Sequence, residues 1–255
     1  MGNTANVSSA VLPGQDQHVL DFQARPRALS LSISAVAAAI LVSTGTLVLT
    51  AWILDLDAVK SLSSSWVTMK ANAALSFILA GVALHLLTGG RGDSGARIAG
   101  RVAAAASVVI GALTFGQYLS GIDLRIDELL LQQPTTAVDM ARPGRMAAAA
   151  AVGFMLLGTA LLCHGSGGRV ARAVSVGLAL VVAAMAVVVV ATYLVDVESL
   201  YARGPVTSMA LHTAVLFGVA ALGIVAARPD RSSANGHRAA LSAAAAEEAS
   251  RRRVL

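Results

Sequence analysis

Long apolar runs separated by short polar segments dominate this chain, and they predict helices that cross a membrane. Six runs are long enough to cross a hydrocarbon core of about 30 Å at about 1.5 Å per helical residue. Backbone amides find no water inside a membrane, so a spanning segment must be helical or part of a closed barrel. Continuous runs without strict polar and apolar alternation favour helices. The predicted spans are Ala28–Leu54, Val67–Leu87, Val102–Ile122, Met146–Cys163, Ala173–Val195 and Val206–Ala227.

One phrase opens three of these runs. The pattern Met-x4-Ala-x2-Phe-x3-small begins at Met69, Met146 and Met209. A repeated pattern indicates that one supersecondary unit has been used several times. Pairing each of these runs with the run before it predicts an all-α membrane protein, whose six transmembrane helices form three repeated helical hairpins.

The repeated phrase is predicted to be a helix-packing device. Its Ala, Phe and small residue fall within one broad stripe of a helix, and small residues let membrane helices approach closely. The predicted packing residues are Ala74, Phe77 and Gly81 in the first copy, Ala151, Phe154 and Gly158 in the second, and Ala214 and Phe217 in the third.

Composition places the chain in a lipid bilayer. Of the 255 residues, 56% are hydrophobic and 13% are charged, whereas charged residues make up about 25% of an average soluble domain. The net charge of +5 does not indicate nucleic-acid binding, because the basic residues follow the ends of the apolar runs without interleaved aromatic residues. The predicted localisation is the bacterial inner membrane, as a multi-pass protein.

The distribution of arginine predicts the orientation. Arginines collect in the 91–101 and 169–172 turns and beyond residue 227, whereas the alternate turns are rich in acidic residues. Because cytoplasmic loops carry the excess of Lys and Arg, both termini are predicted to be cytoplasmic. The predicted division is a cytoplasmic tail at 1–27, a six-helix domain at 28–228, and a cytoplasmic linker with a short helix at 229–255.

Polar residues are concentrated at the predicted outer mouth of the bundle. Asn72 and His212 occupy the same place in two copies of the phrase, and a polar group near lipid needs an internal partner. Together with acids of the outer loops they form a predicted ligand-binding or proton-receiving site. Its residues are Asn72, His212, Asp123, Asp127 and Asp196. Ordinary solvation of the loop acids is the alternative. The apolar residues at 122–131 further predict a short interfacial helix or lid.

Other chemistry is less well supported. His85, His164 and His212 are the residues for a metal or haem site, but His212 is predicted at the opposite end from the other two, so no metal and no cofactor is predicted. The chain has no Ser/His/Asp arrangement and no His-Glu-x-x-His motif, so it is not predicted to be an enzyme. None of the predicted spans contains an acidic residue, which argues against a proton-coupled transporter.

Three segments resemble a known family. They are the Pro-Gly-Arg-Met motif at 143–146 with the Phe-Met-Leu-Leu-Gly motif at 154–158, the Gly-Ile-Asp-Leu-Arg-Ile-Asp segment at 121–127, and Met-Ala-Leu-His-Thr-Ala at 209–214. They are similar to the multi-pass membrane sensor region that precedes PAS, histidine-kinase or diguanylate-cyclase modules in bacterial signalling proteins. Members usually carry Asn-Thr-Ala in the return helices, whereas this chain has Asn-Ala-Ala at 72–74, Ala-Ala-Ala at 149–151 and His-Thr-Ala at 212–214.

The resemblance implies a sensory module that relays an outer or intramembrane signal to a cytoplasmic partner. The segment at 229–255 is too short for a kinase or cyclase domain, so the chain is predicted to be either a stand-alone sensor that acts on a kinase or cyclase partner or a part of a longer sensor. A homodimer is compatible with this role. A small transporter or pore is the alternative, because three hairpins would enclose a path. A membrane scaffold without a signal is a further alternative.

Overall fold

The computed structural model of this protein describes residues 15–56, 67–89, 93–127, 144–166, 168–194 and 209–227, and their side chains from Ser32 onward. Within these ranges the secondary structure consists of six α-helices, which confirms the all-α prediction. They are α1 Gln15–Ile53, α2 Ala71–Thr88, α3 Ser94–Ser120, α4 Ala148–His164, α5 Arg169–Leu194 and α6 Leu211–Ala226.

Four helical segments are long and apolar enough to cross a membrane, and they indicate a membrane protein. They are Ser32–Ile53 of α1, α2, α3 and α5. The apolar helices α4 and α6 are shorter, with 17 and 16 residues, which corresponds to about 25 Å of helix.

The helices form an inner group and an outer group. The inner helices α2, α4 and α6 contact one another, and each of the outer helices α1, α3 and α5 contacts the inner helix on either side. Large apolar side chains are exposed on the outer helices, including Val102, Val109, Leu180 and Val187. Such apolar outer surface is compatible with lipid and unfavourable in water.

Three phenylalanines meet between the inner helices, and we call them the Phe cluster. Phe77, Phe154 and Phe217 have ring centroids 4.7, 5.0 and 4.8 Å apart. Their planes are tilted, as aromatic rings prefer, and each side chain is at most 1% exposed. The same position of the repeated phrase therefore supplies the centre of the core in all three inner helices.

Each inner helix begins two residues after the Met of its phrase. An aromatic side chain of the preceding outer helix donates a hydrogen bond to the backbone carbonyl oxygen of that Met. The donors are Trp52 Nε1, Tyr118 Oη and Tyr193 Oη, and the acceptors are the carbonyl oxygens of Met69, Met146 and Met209, at 2.8, 2.9 and 2.9 Å. We call this end of the bundle the Met end.

The opposite end of the bundle, which we call the arginine end, is also tied together by side chains. Arg101 of α3 donates to the carbonyl oxygen of Gly165 after α4, at 2.9 Å. Arg172 of α5 donates to the carbonyl oxygen of Ala227 after α6. Because the last carbonyls of a helix have no intrahelical donor, these arginines satisfy groups that would otherwise be unpaired.

Glycines set the close approach of outer and inner helices. A Cβ at Gly45 would lie 2.7 Å from the carbonyl oxygen of Ala74, and a Cβ at Gly111 would lie 2.6 Å from that of Ala151. Gly81 and Gly158 make corresponding approaches from the inner helices, at 2.9 and 2.8 Å from the carbonyls of Ala38 and Ala104. The helix axes can lie this close only where no side chain intervenes.

Gly111→Ala is expected to destabilise the protein by about 1–3 kcal/mol, because the added methyl group meets the backbone of α4 and the helices must separate. Gly116→Ala, in the same helix, is the matched control because nothing lies within 4 Å of its Cβ position. That control is expected to be neutral or to stabilise by roughly 0.5–1 kcal/mol. Thermal unfolding in detergent measures both, and equal effects would contradict this account of α3–α4 packing.

The turn after α3 differs from the expectation. Residues 121–127 are not helical, and the interfacial helix predicted from 122 onward is therefore wrong for the described part of that segment. At the amino end, α1 already begins at Gln15, within the predicted 1–27 tail. The short helix predicted in 229–255 lies outside the described residues.

Candidate functional site

The end of α3 forms a tight reversal that brings an acidic residue into the protein. Gly121 has φ +70° and its N–H donates to the Gln117 carbonyl oxygen, a left-handed helix end that glycine adopts without strain. The chain then folds back, and the N–H of Leu124 donates to Gln117 Oε1 at 2.8 Å. As a result Asp127 is only 6% exposed.

The buried carboxylate of Asp127 is held by three donors. Arg145 Nε and Gln117 Nε2 donate to its Oδ2 at 2.7 and 3.0 Å, and Asn72 Nδ2 lies 3.5 Å from its Oδ1. Arg145 Nη2 also donates to Gln117 Oε1 at 3.0 Å and to Asp123 Oδ1 at 3.2 Å. We call Asn72, Gln117, Asp123, Asp127 and Arg145 the Asp127 network.

The two ion pairs of this network differ in strength. The side chains of Arg145 and Asp127 are 6% and 5% exposed, whereas that of Asp123 is 69% exposed. Removing two charges from water costs several kcal/mol per ion, and only good geometry with further hydrogen bonds offsets it. An exposed pair contributes at most about 1 kcal/mol. The Arg145–Asp127 pair is therefore the strongest interaction of the network.

The network connects different parts of the bundle at the Met end. Asn72 lies in the first turn of α2, Gln117 lies in the last turn of α3, and Arg145 lies in the segment before α4. The Arg145 guanidinium also lies 5.6 Å from the centre of the Tyr118 ring, within cation–π range. A change in the contacts of Asp127 would consequently act on α2, α3 and α4 together.

Among the residues that the structure describes, the buried polar atoms without a hydrogen-bond partner include Asn72 Oδ1 and His212 Nε2 near this end. Buried polar atoms are normally paired, so an unpaired one often marks a site of function.

The structure brings together three of the five predicted ligand-site residues. Asn72, Asp123 and Asp127 belong to the Asp127 network, and His212 lies half-buried in the first turn of α6. No hydrogen bond joins Asn72 and His212 within the described residues. Asp196 lies outside those residues.

Two residues that complete the network, Gln117 and Arg145, are not among the predicted site residues. Gln117 is the one amide side chain within the predicted span 102–122, and this polar residue in an apolar helix was the available signal. Arg145 stands directly before the second phrase, on the side where acidic residues prevail. An arginine among acidic residues predicts an ion pair, but the sequence does not identify the acidic residue that it contacts.

The described residues contain no cluster of three or more His, Cys, Asp or Glu side chains that could hold a metal ion. His85 lies exposed near the end of α2, and His164 is the last residue of α4. Comparison with known proteins identified no matching family model, no similar curated protein and no similar solved structure.

Proposed function

We propose that this protein is a sensory module of the bacterial inner membrane, which relays a signal from the Met end to a cytoplasmic partner. In this proposal the six helices span the bilayer as three hairpins, with both termini in the cytoplasm and the Met end in the periplasm. The arginines at the opposite end and the acids at the Met end support that orientation.

The buried Asp127 network is the observation that carries the proposal. An ion pair inside a bundle is weak evidence for stability, since apolar residues of similar size often serve as well. Ionisable groups held at membrane depth or at its edge more often mark a functional site. Here the ion pair belongs to a network that joins three structural elements, so an event at Asp127 would reach several helices.

The packing of the helices supports a relay along the bundle. The close contacts of Gly111 and Gly158 with neighbouring backbones favour movement of α3 and α4 as rigid bodies. Small shifts of packed helices are a common way for a switch to carry a signal. In the proposed relay, α4 carries the shift from Arg145 to its far end at Cys163, where a kinase or cyclase partner responds.

A transporter or pore is favoured less. The Phe cluster fills the space between the three inner helices, where a central path would run, and its three rings are at most 1% exposed. Solute uptake by vesicles containing the purified protein would nevertheless establish that the protein is a transporter or pore.

Cys163 is the one cysteine of the chain and provides the test. We expect a membrane-impermeant maleimide to label it in inverted vesicles and not in intact spheroplasts. We further expect Asp127→Asn or Asn72→Ala to change the labelling rate by about fivefold or more, a usual size for coupling between distant sites.

Two controls keep this result interpretable. Arg125→Ala changes an exposed residue at the same end and should leave the rate unchanged. Unfolding temperatures identify variants that merely fail to fold. Labelling from the periplasmic side would overturn the orientation, and an unchanged rate in folded network variants would overturn the relay.

A further inference from the structure

Arginines of two outer helices meet at the carboxyl end of α4, at the arginine end of the bundle. Arg101 of α3 contacts the carbonyl oxygen of Gly165 there, at 2.9 Å. Arg172 of α5 lies close enough to His164 for its charge to act on that imidazole. Two further arginines lie about one helical turn nearer the amino ends of α3 and α5. We call the four residues the arginine rim, and they are Arg97, Arg101, Arg169 and Arg172.

The arginine rim has no acidic partner within the described residues. None of its guanidinium groups forms an ion pair there, and the hydrogen bonds of Arg101 and Arg172 go to uncharged carbonyl groups. Among the side chains that the structure describes, the acid at this end is Asp93, which accepts a hydrogen bond from the N–H of Gly95 at 2.9 Å. The amino ends of α3 and α5 each add a partial positive charge. An anion is therefore the complement of this surface.

Exposed apolar side chains adjoin the arginine rim. The helices α3 and α5 both contact α4, and within the described residues they do not contact each other, so α4 lies between them. Apolar residues lie beside the arginines on both of these flanking helices. They are Ile98, Val102, Val170 and Val174, which are 62%, 62%, 79% and 44% exposed. Positive charge and exposed hydrocarbon therefore occur at one level of the bundle.

We propose that the arginine rim binds the headgroup of an anionic phospholipid, whose acyl chains lie along the exposed apolar faces of α3 and α5. A guanidinium group can donate two parallel hydrogen bonds to one phosphate group, and basic patches at a membrane edge recognise anionic headgroups. This binding goes beyond the proposed sensory function. It requires helices that span a bilayer, but it does not require the relay from Asp127.

The adjacent hydrocarbon favours a lipid over other anionic partners. An acidic protein or a nucleic acid would pair with the arginines in water and would leave Ile98 and Val170 exposed. A phospholipid brings its charge and its acyl chains to the same surface. Arginine side chains also suit this position, because their methylene groups cover apolar surface while the charge stays among the headgroups.

The net charge of the lipid should determine the affinity. Phosphatidylglycerol and phosphatidylcholine both carry a phosphodiester group, but the choline cation leaves the second lipid without net charge. Each arginine near an anionic lipid surface contributes about fivefold in affinity. Loss of two exposed arginines should therefore lower the affinity for phosphatidylglycerol about 25-fold.

The test is native mass spectrometry of the purified full-length protein in a neutral detergent, titrated with phosphatidylglycerol or phosphatidylcholine of the same acyl chains. We expect the first phosphatidylglycerol to bind about tenfold more tightly or better than the first phosphatidylcholine. Arg97→Gln together with Arg169→Gln should cause the 25-fold loss and leave phosphatidylcholine binding unchanged. Both side chains are exposed and form no hydrogen bond within the described residues, so this double variant should keep its unfolding temperature.

Two controls separate the arginine rim from charge in general and from a site for free anions. Arg125→Gln removes an exposed cation at the Met end and should leave the affinity unchanged. Millimolar inorganic phosphate should not displace the lipid, because it lacks the acyl chains that the apolar faces of α3 and α5 would contact.

Four results would overturn the proposal. These are equal binding of the two lipids by the folded protein, an unchanged affinity in the double variant, an equal loss in Arg125→Gln, and displacement of the lipid by inorganic phosphate. If the double variant does not fold, the comparison of the two lipids decides the matter. Because lipid binding is measured without the Cys163 reporter, its failure is distinguishable from failure of the relay.

Discussion

Replacement of Arg145 by methionine is expected to destabilise the protein by about 3–5 kcal/mol, because it leaves the buried carboxylate of Asp127 without its charged partner. The change also removes the guanidinium donor to Gln117 Oε1. Methionine keeps much of the side-chain volume, so lost packing contributes little. Thermal or denaturant-induced unfolding in detergent, followed by tryptophan fluorescence, measures the loss.

The second ion pair of Arg145, with the exposed Asp123, provides the control. Asp123→Asn removes the exposed carboxylate that Arg145 contacts at 3.2 Å, and should cost at most about 1 kcal/mol. Combining Arg145→Met with Asp127→Leu should recover most of the stability, because no charge is then left buried. Equal losses for Arg145→Met and Asp123→Asn would show that burial of Asp127 does not determine the strength of the network.

Phe154→Ala is expected to cost about 3–5 kcal/mol, because it opens a cavity where the three inner helices meet. Its ring contacts both Phe77 and Phe217, and each favourable aromatic pair adds roughly 0.5–1.5 kcal/mol to the burial of the ring. The neighbouring backbones are already close, so the cavity can collapse only in part. Unfolding in detergent provides the measurement here as well.

Phe115→Ala is the comparison for this effect. Phe115 lies on the outer helix α3 and packs only partly buried against the core, so its loss should cost about half as much or less. Phe154→Leu keeps most of the volume and should be milder than Phe154→Ala. If Phe115→Ala and Phe154→Ala were equally destabilising, the Phe cluster would not be the centre of the core.

Different groups of residues account for the stability of this bundle and for its proposed function. The Phe cluster and the glycine contacts are apolar, and they explain why the helices pack. The Asp127 network adds little that apolar packing could not supply. We therefore propose for it a role at the Met end, which the Cys163 measurement tests.

The amino-acid sequence by itself determined the helices and much of the packing surface. Runs without charge must form hydrogen bonds within their own backbone in lipid, so the helical state follows from composition and length. The repeated phrase placed Phe77, Phe154 and Phe217 at equivalent positions, and helical periodicity placed small residues beside them. The helices α4 and α6 begin at Ala148 and Leu211, two and five residues after the predicted spans begin, because helix ends depend on local capping rather than on hydropathy.

Only the tertiary structure decided which polar groups meet. Asp127 binds Arg145 and Gln117 because the chain reverses at Gly121 after α3. A periodic pattern of apolar residues does not predict the geometry of such a turn. Asn72 reaches the same carboxylate from a helix 55 residues earlier in the chain.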